Sequence, residues 1–224
     1  MQKTILFAVC VLFCAISAFA QQTSVGLRAG YTLSDVLVKE PDGLIVEGNP
    51  DYQIDENFRT LNSFHIGIDA RLQTSDRLEF VATLLYARKG YIGKLAWPSG
   101  LADATWELHY LNLPVVADFR IWKGLSVQGG VEPGWLMKAR VKSVGSSFNP
   151  QNTIVELNEF DFSLIGGLEY RFAMGLFIGA RYVAGIAPLE KYEVTNDNGE
   201  SIGNIASRNS ATQISLGYRY NISE

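Results

Sequence analysis

Apolar and polar residues alternate with a period of two along most of this chain, and the pattern is clearest from Tyr110 to Leu136. Leu111, Leu113, Val115, Ala117, Phe119 and Ile121 interleave with Asn112, Pro114, Val116, Asp118 and Arg120, the spacing that a strand imposes on its side chains. After Trp122 the pair Lys123-Gly124 reverses the chain. Leu125, Val127, Gly129 and Val131 then alternate with Ser126, Gln128, Gly130 and Glu132. A loop this short fixes the register of a hairpin. In a soluble sheet the apolar face would be the core. In a small transmembrane barrel the faces invert, with lipid outside and polar side chains filling the lumen.

The same alternation recurs along the chain. Val25, Leu27, Ala29, Tyr31 and Leu33 mark a first strand, and Phe64, Ile66, Ile68, Ala70 and Leu72 a second. Leu78, Phe80, Ala82, Leu84 and Tyr86 give the outer face of a third, within Arg77 to Tyr91. Phe162, Leu164, Gly166, Leu168 and Tyr170 do so for a sixth, Leu176 to Pro188 forms a seventh, and Ile214, Leu216, Tyr218 and Tyr220 define the last. Between them, Gln73 to Asp76, Lys123-Gly124 and Ala173-Met174-Gly175 are short turns, whereas 35–61, 92–104, 142–158 and 189–208 are long connections. Within 189–208, Asn196-Asp197-Asn198-Gly199 stands between Tyr192-Glu193-Val194 and Ser201-Ile202, as in a hairpin carried beyond the barrel.

Eight strands with connections alternating long and short predict an all-β fold, an eight-stranded antiparallel up-and-down transmembrane β-barrel. A soluble periplasmic β-barrel is the alternative at the level of the fold. Two irregularities stand against a perfect wall. Pro114 and Pro133 fall inside strands, where a missing N–H interrupts the ladder. Trp106, Leu108 and Tyr110 have the opposite parity to Leu111 and Leu113, so a β-bulge near Tyr110 is expected to restore the faces.

The polar faces place Arg28, Arg71, Arg120, Arg171, Arg181 and Arg219 in the lumen with Asp69, Glu79, Asp118, Glu132 and Glu169. Buried charges require partners, and eight strands enclose just enough room for side chains. A lumen packed with ion pairs, not an open pore, is predicted. Outward aromatics form two expected girdles: Trp122, Tyr170, Phe172, Tyr218 and Tyr220 at the periplasmic side, Tyr31, Tyr86, Tyr110 and Trp135 at the other.

Composition adds the compartment. Met1-Gln2-Lys3, an apolar run from Thr4 to Ser17 and Ala18-Phe19-Ala20 form a signal peptide over residues 1–20, leaving 21–224 as the barrel domain. The apolar run is shorter than the roughly 20 residues of a spanning helix. Both cysteines, Cys10 and Cys14, lie in this leader, so the mature chain is expected to hold neither disulfides nor thiolate metal sites. A formal charge of −4 across 224 residues gives no basic footprint for nucleic acid.

Tyr110-Leu111-Asn112-Leu113-Pro114, Leu125 to Leu136 with Gly130 and Pro133, Gly166-Gly167-Leu168-Glu169-Tyr170-Arg171-Phe172, Arg181-Tyr182 and Leu216-Gly217-Tyr218-Arg219-Tyr220 together resemble the PorT-like outer-membrane β-barrel family across essentially the whole mature chain. The resemblance implies a Gram-negative outer-membrane barrel and makes the proline of the fourth strand a family feature. Such barrels often end on an aromatic residue, whereas Asn221-Ile222-Ser223-Glu224 follow Tyr220 here. The namesake of the family is linked to protein secretion, but no residue pattern carries that role over.

His65 and His109 are the two imidazoles available for acid–base chemistry, with Asp69 and Glu107 near them in sequence. Side chains hydrogen-bonded in the lumen or at the rim are the simpler expectation. Asp42, Glu47, Asp51, Asp55 and Glu56 could ligate calcium, but their spacing is that of a solvated loop. No catalytic, cofactor or metal residue is assigned, and no enzyme activity is expected. The reading is a monomeric surface barrel contacting outer-membrane lipid and lipopolysaccharide, with an extracellular protein or glycan partner at 35–61 and 189–208. Transport or secretion accessory, and then outer-membrane hydrolase, are the alternatives.

Overall fold

The computed structural model describes residues 23–39, 58–97, 100–143, 157–195 and 201–222. Its strands are β1 (Thr23–Lys39), β2 (Arg59–Gln73), β3 (Leu78–Trp97), β4 (Gly100–Asn112), β5 (Val115–Trp122), β6 (Leu125–Ser143), β7 (Phe160–Arg171), β8 (Leu176–Gly185), β9 (Glu190–Thr195) and β10 (Ser201–Asn221). Each pairs antiparallel with its neighbours, and β1 also pairs with β10 from Ser24↔Asn221 to Lys39↔Ala206. That seam closes the sheet, so no barrel strand is left with an open edge.

The ten segments make a ring of eight strands. β4 and β5 are two halves of one strand, since both pair with β3 and with β6. The break between them is Leu113-Pro114. There Thr83 N–H donates to the Pro114 carbonyl and Leu113 N–H to the Pro133 carbonyl, at 2.9 and 2.8 Å. In a strand the N–H and C=O of one residue point the same way, so the missing N–H of Pro133 faces this same break. Two prolines thus cost the wall a single lesion. β9 pairs only with β10 and continues β8 beyond Gly185, so the hairpin expected within 189–208 is present; its Asn196–Gly199 tip lies outside the described residues.

The short turns fall where expected. Gly124 and Gly175 have φ of 79° and 90°, the left-handed region that glycine enters without a steric penalty. The connections are another matter. Residues 92–104, read from sequence as a loop, are mostly ladder: β3 and β4 stay paired from Leu85↔Asn112 to Trp97↔Gly100. β1 and β6 likewise extend into the expected loops, to Lys39 and Ser143. The acidic residues Asp42, Glu47, Asp51, Asp55 and Glu56, and the leader 1–20, lie outside the described residues.

The inverted arrangement of faces is what the structure has. Leu27, Ile66, Ile68, Leu164 and Leu216 are 50 to 65% exposed, while Arg28, Asp69, Arg71, Asp118, Glu132, Glu169 and Arg181 are buried. At roughly 25 cal/mol per Å² of apolar surface kept in water, such a belt is stable only against lipid. A closed barrel of this kind resists dodecyl sulfate until it is heated. Unboiled protein is therefore expected to migrate apart from boiled protein on electrophoresis; identical mobility would count against closure.

The phase problem near Tyr110 is resolved differently from the expectation. A register shift does occur between His109 and Tyr110, but the extra residue is on the partner strand: His109 faces Lys138 and Tyr110 faces Leu136, leaving Met137 over. The bulge leaves the parity of β4 intact. Leu108 and Tyr110 point into the lumen, 1% and 0% exposed, so Tyr110 does not belong to the outer girdle. Trp122, Tyr170, Phe172, Tyr218, Tyr220, Tyr31 and Trp135 are exposed outside.

Candidate functional site

Every strand sends alternate residues inward, and the inward positions hold two ionic clusters. The larger lies toward the short turns. Arg28 grips Asp69 with both Nε and Nη2, at 2.8 and 2.7 Å. Arg71 reaches Glu169 at 2.7 and 3.2 Å and Asp69 at 2.9 Å. Arg171 joins Glu79 at 2.8 Å and Glu169 at 3.2 Å and also binds Asp118, and Arg219 completes the set on Glu79 at 3.2 Å. Gln128 and Ser126 donate to the remaining oxygen of Asp118, at 2.7 and 3.0 Å.

Phe177, inward and 1% exposed, lies beneath Arg28 and Arg71, whose guanidinium carbons are 5.2 and 4.5 Å from its ring centre. A desolvated cation–π contact of this kind is worth about 2 kcal/mol. Gly217 provides the room: a Cβ there would sit 2.1 Å from the Phe177 ring.

Arg181 differs from the other arginines. It is 3% exposed and donates from Nε to Gln128 at 2.7 Å, but among the described residues Nη2 has no partner and no carboxylate lies within ion-pair distance. Arg120, expected in the lumen, is half-buried and likewise makes no ion pair with a described residue.

Val81, Val116, Ile165, Val183 and Ala211 form an apolar belt, and beyond it along β3, β7 and β10 comes the second cluster. Lys89 binds Glu132 at 2.9 Å and Asp161 at 3.3 Å. Asn112 donates to Glu132 at 2.7 Å, and Asn209 to Asp161 at 3.2 Å and to the Tyr110 hydroxyl at 3.0 Å. Neither Lys89 nor Asp161 was singled out from the sequence, although the parity of β3 and β7 places both inside. Above them Val36, Tyr91, Leu108, Tyr110 and Leu189 form a second apolar cluster. Phe58 packs edge-on to Tyr91, which stacks on Trp106 at 4.9 Å. At the opposite end a recess of about 360 Å³, lined by Arg171, Phe177 and Arg219 among others, opens toward the short turns.

The two histidines are far from equivalent. His65 is 1% exposed, with Nδ1 on the Thr32 hydroxyl and Nε2 on the Ser215 hydroxyl, each at 2.9 Å. Asp69, its sequence neighbour, is taken by Arg28, Arg71 and Thr83, so no carboxylate backs this histidine–serine pair. His109 is on the outer wall, bonded through Nδ1 to the Tyr86 hydroxyl at 2.6 Å. Glu107 serves Lys142 and Arg88 instead, at 2.8 and 3.5 Å. Among the described residues, neither histidine has an acid and a nucleophile together within reach.

Residues 19–190 match the family described as outer membrane protein beta-barrel domain. No curated protein matches the chain. Among solved structures, Ail, the attachment invasion locus protein of Yersinia pestis, is 14% identical over 89% of this chain and 100% of its own, with a TM-score of 0.42. Neisserial surface protein A is 12% identical over 88% and 97%, with a TM-score of 0.44. The outer membrane protein W of E. coli is 14% identical over 90% and 100%, with a TM-score of 0.36. A ring of strands closed through β1 and β10, apolar without and ionic within, together with a family match over most of the length, makes this chain a member of the outer membrane protein β-barrel domain family.

Proposed function

We propose that this outer-membrane protein is a closed, monomeric surface barrel of the PorT-like kind, exported through the leader 1–20, whose lumen is structural and whose long connections make its contacts. The observation that carries this reading is the filling of the lumen. The Arg71 network, the valine-rich belt, the Lys89 cluster and the Tyr91–Trp106 stack follow one another from the short turns to the long connections. A protein or glycan partner at 35–61 and 189–208 fits the length of those segments.

Reconstituted in a planar bilayer, the protein is expected to give no discrete ion-conducting steps. Stable conductance of the wild type would overturn the closed reading and favour transport or an accessory role in secretion. A hydrolytic role is less well supported, because His65 is enclosed and His109 bonds to a tyrosine on the outer wall.

A further inference from the structure

Just beyond the apolar belt on the side of the long connections, one sector of the outer wall turns basic. Register sets Arg88 beside His109, His109 beside Lys138, Glu107 beside Arg140 and Thr105 beside Lys142, and paired residues share a face. That face is the outer one: Arg88 lies over the outward ring of Phe64 at 5.8 Å, and His109 bonds to the outward Tyr86. Lys138, Arg140 and Lys142 are exposed. Among the described residues, Glu107 is occupied by Lys142 and Arg88 and the next outward acid of β4, Asp103, by Arg59, so Arg88, Lys138, Arg140 and Lys142 set against Glu107 leave three positive charges in excess, in a chain of net charge −4.

We infer that the Arg88–Lys138–Arg140–Lys142 sector is a binding site for the phosphate groups of an outer-leaflet phosphorylated glycolipid of the lipid A type. This rests on the proposed membrane orientation, with the long connections outside. A lipid whose head carries phosphates would place them on this sector while its acyl chains lie along Phe64, Tyr86 and Trp135 directly below. Arginine meets phosphate through paired N–H groups and lysine through a compact charge. The bulge at Met137 contributes by shifting the parity of β6, so that Lys138, Arg140 and Lys142 come to the lipid-facing side in the row above Trp135; without it they would point at the mouth of the lumen.

The test uses the full protein in phosphatidylcholine nanodiscs containing a fixed fraction of bisphosphorylated lipid A or of the same lipid dephosphorylated. Lipid that stays with the protein on detergent release is counted by native mass spectrometry. Wild type is expected to retain the bisphosphorylated form and not the dephosphorylated one. At roughly fivefold for each basic side chain near an anionic surface, K138Q/R140Q/K142Q should lose retention at least tenfold and R140Q alone about fivefold. R77Q/K123Q, altered at exposed positions near the short turns, should match wild type. Equal retention of both lipids, or full retention by the triple variant, overturns the site. The heat-dependent mobility of each variant reports the barrel independently: if the triple variant loses it, R140Q decides, and unchanged lipid retention there also overturns the site. Loss of the mobility shift in wild type would instead count against the membrane reading itself.

Discussion

Replacing Arg71 with methionine is expected to lower the stability of the barrel by about 3–5 kcal/mol, the cost of leaving buried carboxylates without their cation. The side chain of Arg71 is fully enclosed and serves Glu169, Asp69 and Glu79 at once, at 2.7, 2.9 and 3.5 Å. Methionine would preserve the contact with Phe177 but none of these bonds. The companion substitution is Arg181→Met. Arg181 has no ion-pair partner among the described residues and Nη2 is orphaned, and the lower network holds five arginines (Arg28, Arg71, Arg171, Arg181, Arg219) against four acids (Asp69, Glu79, Asp118, Glu169). Removing it is expected to change stability by about 1 kcal/mol or less, or to raise it, as when unneeded buried charge gives way to apolar packing. Urea unfolding in lipid, followed by tryptophan fluorescence, separates the two. Equal losses for both variants would show that lumen charge acts collectively and that individual pairing does not matter.

The second large effect is expected at Gly90→Ala. Gly90 has a φ of 139°, a region essentially reserved for glycine and costing about 1–3 kcal/mol for other residues. Its missing Cβ would also lie 1.9 Å from the carbonyl oxygen of Trp106, so β3 and β4 must separate to admit a methyl group. The stacked Tyr91–Trp106 pair stands on this ladder. Loss of its near-ultraviolet circular dichroism, with a stability loss of at least about 3 kcal/mol from strain and displaced packing together, is the expected result. Gly129 and Gly166 provide the control. They are exposed cross-strand partners, and a Cβ at either meets nothing within 4 Å. Alanine there is expected to be neutral or to stabilise by about 0.4–1 kcal/mol through the unfolded chain. A mild Gly90→Ala variant with intact dichroism would show that the β3–β4 ladder yields easily.

How much of this was legible in the sequence depended on whether the two faces of a strand differed chemically. From Phe64 to Leu72 they do: each outward residue is apolar, and His65, Asp69 and Arg71 face in. Strand, face and lumen therefore emerge together. Toward the long connections the contrast disappears, because the inward positions there are apolar as well. Leu108 and Tyr110 look like lipid-facing residues and are core; nothing in the alternation distinguishes a hydrophobic cap from a hydrophobic exterior. Phe177 is a related case, an aromatic whose task is to support arginines. The 92–104 connection reads as a loop because Pro98-Ser99-Gly100 interrupts the pattern, yet cross-strand pairing carries the hairpin out to Trp97 and Gly100. The displaced parity of Lys138, Arg140 and Lys142 depends on a bulge at Met137 that leaves no local signature.

The charge network also constrains the order in which this wall can be assembled. Its bonds join residues far apart in the chain: Arg28 and Glu169 are separated by 141 positions and Glu79 and Arg219 by 140, and the neutral hydrogen bond of His65 to Ser215 spans 150. No hairpin satisfies all of its inward charges by itself: Arg28 and Asp69 pair within β1–β2 and Arg71 meets Glu79 within β2–β3, but Arg28 and Arg71 also need Glu169 of β7, and Glu79 also holds Arg171 of β7 and Arg219 of β10. A half-built sheet must accordingly keep water along its concave side until the first and last strands meet. Contacts of such long range are slow to form, so closure of the β1–β10 seam and drying of the interior belong to one late, cooperative step.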